Sequence, residues 1–177
     1  MIVSIQQPEF FPWAGFFNKI LHSDLTVILD NVQFKKRYFD NRSRINFKGE
    51  AIWITVPVST KGRYTQMISD VVINNEADWG RKTWKTLLHA YSKAPFWKEQ
   101  AGFLQETFES RQWDRLVDLN MHIIQHVCQF LDLPFEYIMG SSLHMETNGS
   151  DLILETCLNA RAKTYLSGKF GKNYLDE

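Results

Sequence analysis

Leu25-Thr26-Val27-Ile28-Leu29-Asp30-Asn31-Val32-Gln33-Phe34-Lys35-Lys36-Arg37-Tyr38-Phe39-Asp40-Asn41-Arg42-Ser43-Arg44-Ile45 changes character part-way along. Its first five residues are an apolar, partly β-branched run, the pattern of a short buried strand. From Asp30 onward five cations meet two carboxylates, in a chain whose formal charge is zero. Phe34, Tyr38 and Phe39 are threaded between those charges, which a solvated linker would not need. The stretch is therefore expected to leave the carboxyl end of a central strand and line a pocket for an anionic ligand, the place where ligands collect in open α/β sheets. The alternative is a surface loop whose aromatics pack and whose charges pair locally.

Upstream, Met1-Ile2-Val3-Ser4-Ile5 reads as a first buried strand, ended by Gln6-Gln7-Pro8. Pro12 is placed to open a helix, with Phe16, Phe17, Ile20 and Leu21 on its inward face. Gly15 permits close approach of a neighbour to that helix start. Residues 1–29 thus form a strand–helix–strand unit whose strands are expected to be parallel. Downstream, residues 43–47 and 51–58 flank Lys48-Gly49-Glu50 as a hairpin, and a further strand is expected over 67–73. Helices follow from an Asn75 cap to about Tyr91, from Phe96 to Glu109, and from a Ser110 cap through Leu131, the last carrying Asn120 in its apolar stripe. That asparagine is expected either to join a core hydrogen-bond network or to reach the site. A strand over 134–139, a helix ending near Asn159 and a strand at 163–166 complete the chain. The fold class is α/β: a Rossmann-like three-layer core with a central, mostly parallel sheet, a β-hairpin insertion and a helical middle segment.

At 177 residues, the length fits one domain. Twenty cations against twenty anions argue against general affinity for nucleic acid. No run approaches the length of a membrane-spanning helix, and the first residues lack a signal-peptide pattern, so a cytoplasmic location is expected. Aromatics make up 14% of the chain, which suggests a pocket or an interface. Cys128 and Cys157 have no C-x-x-C spacing and read as reduced thiols. His122 and His126 stand one helical turn apart, but no third ligand is near in sequence, so no metal site is assigned. No serine lies in a nucleophile-elbow pattern, and no cofactor can be named.

Three segments leave strand ends carrying polar or glycine-rich residues: Gln6–Gly15, Asp30–Arg44 and Ser167–Lys172. Parallel neighbouring strands would bring them to one edge of the sheet. Ser167-Gly168-Lys169-Phe170-Gly171-Lys172 has the composition of a phosphate cradle without the P-loop spacing; a plain turn is the alternative.

These segments resemble the signatures of the WbqC-like family of bacterial proteins. The first is Gln7-Pro8, Pro12-Trp13, Gly15, Phe17 and Lys19-Ile20. The second is Asp30, Val32-Gln33-Phe34, Lys36-Arg37, Asn41-Arg42 and Arg44-Ile45. The third is Tyr165-Leu166-Ser167-Gly168, Gly171-Lys172 and Tyr174-Leu175-Asp176. Ala90–Pro95 and Leu119-Asn120 match between them. Asn31 and Asn173 stand where aspartates are usual, and Lys169-Phe170 replaces a pair of small residues. The resemblance implies a single domain over 1–177 without the C-terminal extension usual in the family. It also implies a role in surface-polysaccharide (O-antigen) biosynthesis, as an acyl or aminoacyl (glycine-type) transferase acting on a nucleotide-linked amino sugar.

On that basis the expected ligand is an anionic small molecule, a sugar nucleotide. Lys36, Arg37, Arg42 and Lys172 would hold phosphate, bidentate arginines being well suited to it. Gln7, Gln33 and Asn41 would orient sugar or amide groups, and Trp13 or Tyr38 would stack on a ring. Ser167 and Gly168 would contribute the loop, and Asp30 would be the base. Two alternatives remain: a non-catalytic scaffold docking through Trp53, Trp97 or Trp113, or a nucleotide-binding enzyme akin to the adenylate-forming ligases. Oligomer formation is open.

Overall fold

The computed structural model describes residues 1–168 and 171. The chain forms two compact units: residues 1–8, 12–32 and 121–177 in the first, residues 9–11 and 33–120 in the second.

The first unit is built on a four-stranded sheet in the order β5-β2-β1-β6. Its members are β1 (Ile2–Gln6), β2 (Leu25–Ile28), β5 (Tyr137–Met139) and β6 (Thr164–Leu166), and every pairing is parallel. The expected parallel β1–β2 pair is thus present, with Val3 opposite Leu25 and Gln6 opposite Ile28. Central strands of a parallel sheet are covered on both faces and so read as continuous apolar runs. Here Val3, Ile5, Val27 and Leu29 form one core cluster with Ala160. Ser4 and Thr26 are buried as well, and they tolerate it because their hydroxyls bond each other at 2.9 Å.

Helix α1 (Ala14–Leu21) follows β1 and buries Phe16, Phe17 and Ile20, each worth about 1.5–3 kcal/mol when fully removed from water. Its lysine, Lys19, donates to the Ile5 carbonyl at 3.1 Å. Leu21, expected inward, is half exposed. Helix α5 (Gly149–Asn159) precedes β6.

The second unit holds the expected hairpin, β3 (Arg42–Phe47) against β4 (Glu50–Thr55), antiparallel with Arg44 opposite Trp53. Lys48 and Gly49 both have positive φ at its turn, as a tight hairpin requires. Helices α2 (Trp79–Tyr91) and α3 (Trp97–Gln105) follow, and α3 runs into a π turn at Glu106–Ser110. Helix α4 (Leu116–Phe130) takes the chain from the second unit back into the first. Asn120 is fully buried and donates to the Asp40 carbonyl at 2.8 Å, so of its two alternatives it takes the core network.

Three elements differ from the sequence reading, and the cause is visible in each. Residues 67–73 form no strand: Ile68–Asp70 is one 3₁₀ turn that buries Ile68, with only isolated bridges from Gln33 to Met67, from Val58 to Ile73 and from Val72 to Arg115. Asn75 does not cap α2. Its amide donates to the Trp113 carbonyl (2.9 Å) and accepts from the Trp79 indole (3.0 Å), so the helix begins only at Trp79. Residues 111–115 are extended rather than helical, because the backbone there is spent on pairing: Ile73 donates to the Asp114 carbonyl and Leu116 to that of Val71. Trp113 is buried from this extended segment, its indole donating to the Thr107 carbonyl.

Candidate functional site: a switch point and a cationic cavity

The strand order of the first unit fixes where a ligand can approach its sheet. From β1 the chain moves one way, to β2 and then β5, whereas β6 lies on the other side of β1. The order therefore reverses between β1 and β6, and the crevice outside the carboxyl ends at such a reversal is where α/β sheets bind ligands. Gln7 follows β1 and Ser167-Gly168 follow β6, so these three expected residues flank the switch point. Lys172 lies outside the described residues.

Trp13 immediately precedes α1 and is 70% exposed. Its ring lies across Gly15, where a Cβ would run into it. Gly15 therefore serves close packing of the tryptophan ring. Gln6 is held at the same strand end by a bond from its amide to the Phe16 carbonyl, 3.3 Å.

Asp30, just after β2, is 3% exposed. Ser141 donates twice to it, from its backbone N–H to Oδ1 (2.7 Å) and from its hydroxyl to Oδ2 (2.6 Å). The carboxylate thus ties the end of β2 to the turn that follows β5. Each oxygen retains acceptor capacity after one such bond, so a proton-accepting role would use the remaining lone pairs. Ser141 was not legible as its partner: it is 111 residues away, and nothing near Asp30 in sequence points to it.

The basic stretch belongs to the second unit. Arg37 has φ +62° within a turn in which Tyr38 donates to the Lys35 carbonyl. The Lys35 N–H in turn donates to Asp40 Oδ2 at 3.0 Å, and the Phe10 N–H donates to the Phe39 carbonyl at 2.9 Å. Asp40 is fully buried, and burial raises its carboxyl above the usual range, opposed by the N–H and the charge of Lys35. Sequence reasoning passed over it because one acidic residue among five cations looks like a surface counter-charge.

Asn41 continues the hairpin ladder by one step. Its carbonyl accepts from the Val56 N–H and its side-chain amide donates to the Val56 carbonyl, both at 2.8 Å. These contacts hold Lys36, Arg37, Asn41 and Arg42 around one cavity of about 380 Å³, closed by Thr55, Val56, Pro57, Val58 and Thr60. Three cations and no carboxylate line it, so it favours an anion. The central carbon of the Arg42 guanidinium lies 4.0 Å over the Trp53 ring, as a cation–π pair.

Gln33 and Tyr38 do not line this cavity. Gln33 donates to the Tyr64 carbonyl at 3.1 Å, and Tyr38 lies half exposed, edge-on to Phe39. A second cavity in this unit, about 440 Å³, is larger and has Glu76, Asp78 and Glu109 in its wall with Arg111. None of the expected site residues lines it, and its acidic wall is unsuited to an anion. Of the tryptophans expected to dock a partner, Trp113 is buried and Trp97 is stacked on Trp84. Trp53 is 43% exposed with Arg42 and Arg44 near its ring.

No group of three or more metal-ligating side chains occurs among the described residues. Cys128 and Cys157 are free thiols, and burial pushes the Cys128 thiol up to about 11. No helix among the described residues is long and apolar enough to cross a membrane.

The model of the WbqC-like protein family matches residues 7–177. The chain belongs to this family. It is also 31% identical over 175 residues to the uncharacterized protein Rv1507c of Mycobacterium tuberculosis, an alignment covering 99% of this chain and 75% of that protein. No solved structure matches it. In this member of the family, the first signature covers the β1–α1 corner and the second runs from the Asp30 tie through the cationic turn into β3.

Proposed function

We propose that the protein is a transferase that places an acyl or aminoacyl group on the amine of a nucleotide-linked amino sugar, for surface-polysaccharide biosynthesis. The observation that carries this reading is the shared cavity of Lys36, Arg37, Asn41 and Arg42. In it the three cations would hold the diphosphate of the nucleotide. Arginine offers planar pairs of N–H donors that match phosphate oxygens, and the contact with Trp53 positions Arg42 before the ligand arrives. The WbqC-like signatures support the choice of substrate class, since the resemblance implies amino-sugar chemistry.

In the transfer, the sugar nitrogen attacks the acyl carbonyl of an activated donor. A C–N bond forms, the bond to the donor's leaving group breaks, and one ammonium proton passes to a base.

The test is to incubate the protein with a UDP-linked amino sugar and glycyl or acetyl donors, following the nucleotide sugar by mass spectrometry. The reading expects a new amide on the sugar nitrogen. Tight binding of the nucleotide sugar without conversion by any donor would leave a binding protein in place of a transferase.

A further inference from the structure

Three consecutive residues of the cationic turn each carry a buried side-chain atom without a hydrogen-bond partner among the described residues: Asp40 Oδ1, Asn41 Oδ1 and Arg42 Nε. Buried polar atoms are nearly always satisfied, so such a cluster asks for a partner from outside the chain. Two of the three residues line the cavity.

Asn41 is the informative one. It is 6% exposed, and the way its amide points is fixed. Turning the amide over would bring Oδ1 against the Val56 carbonyl, which now accepts from Nδ2 at 2.8 Å. The unpartnered atom is therefore an acceptor. Lys36, Arg37 and Arg42 offer only donors. A fully ionised phosphate would satisfy the cations and leave Asn41 Oδ1 without a donor. The cavity thus calls for a ligand that carries negative charge and, next to it, a hydrogen-bond donor.

That donor could be a P–OH of inorganic phosphate or a sugar hydroxyl beside a phosphate. At about 380 Å³ the cavity is far larger than one phosphate and within the range of small-molecule sites. We propose that Asn41 determines what this cavity accepts: its Oδ1 takes a hydrogen bond from a ribose hydroxyl carried beside the phosphates, so that a ribonucleotide is selected over a bare anion. This rests on the proposal that Lys36, Arg37 and Arg42 hold phosphate.

Calorimetric titration of the intact chain with UDP, 2′,3′-dideoxy-UDP and inorganic phosphate tests it. UDP should bind about tenfold more tightly than its dideoxy analogue, the loss expected when a buried acceptor goes unpaired. In Asn41→Ala that difference should vanish while both nucleotides still bind. Equal binding of the two nucleotides to the unaltered protein would overturn the role of Asn41 and leave the phosphate site standing. Binding of inorganic phosphate alone would assign the donor to P–OH and overturn the ribose. Failure of all three ligands to bind would remove the phosphate reading as well. The comparison on the unaltered chain decides the matter even if Asn41→Ala does not fold.

Discussion

The guanidinium carbon of Arg42 lies 4.0 Å over the ring of Trp53. This stacking joins the exposed face of the β3–β4 hairpin to the wall of the cationic cavity, because Arg42 belongs to both. Trp53→Ala should free the guanidinium and weaken UDP binding about two- to fivefold, in line with a partly exposed cation–π contact. Its circular dichroism should stay that of the native chain, since Trp53 is 43% exposed. Unchanged affinity would show that the tryptophan does not orient the arginine.

Ser141 donates both hydrogen bonds to the Asp30 carboxylate. Ser141→Ala keeps the backbone donor and removes the hydroxyl, leaving one buried carboxylate oxygen short of a partner. The expected cost is about 1–3 kcal/mol of unfolding free energy, measurable from urea midpoints. A loss within error would mean that water replaces the hydroxyl.

Asp40 makes stability pH-dependent in a stated direction. Burial raises its folded pKa above the ordinary value of 3.8. Between those two values the native chain holds a proton that the unfolded chain has released, so stability falls as pH rises through that window. Asp40→Asn keeps an acceptor for the Lys35 N–H and abolishes the titration. Relative to the unaltered protein, the variant should gain stability as pH rises from the ordinary carboxyl value through the raised one. A constant difference across that range would contradict the assignment.

Gly15 packs under the Trp13 ring. Gly15→Ala places a Cβ where the ring lies, and overpacking of this kind costs about 1–3 kcal/mol when the neighbours cannot shift. Because Trp13 is 70% exposed, its ring has solvent to move into. The variant should therefore show a larger change in tryptophan emission than in melting temperature. A large loss of stability with unchanged emission would contradict this.

Much of the fold could be read from local pattern, and the exceptions share a cause. The β1–α1–β2 unit was legible because short β-branched runs and Pro12 are signals carried by neighbouring residues. The hairpin was legible from Lys48-Gly49-Glu50 for the same reason. Asn75 and Ser110 looked like helix caps and are not, because Trp113, Asp114 and Val71 take up the hydrogen bonds of those segments. The two segments that bond each other, residues 71–75 and 113–116, lie far apart along the chain. Of the candidate site, Lys36, Arg37, Asn41 and Arg42 were legible as a cluster, since charge density needs no topology to be seen. The bonds from Ser141 to Asp30 and the burial of Asp40 were not, because each depends on a tertiary contact with no periodic trace in the sequence.

Calorimetric titration of UDP into the unaltered protein and into Arg42→Ala, at two salt concentrations, probes the cationic cavity most directly. The expected result is salt-sensitive binding that weakens about tenfold or more in the variant, as for a lost hydrogen bond to a charged group. Equal affinity in both proteins, or no binding to the unaltered one, would contradict the assignment of Lys36, Arg37 and Arg42 to phosphate.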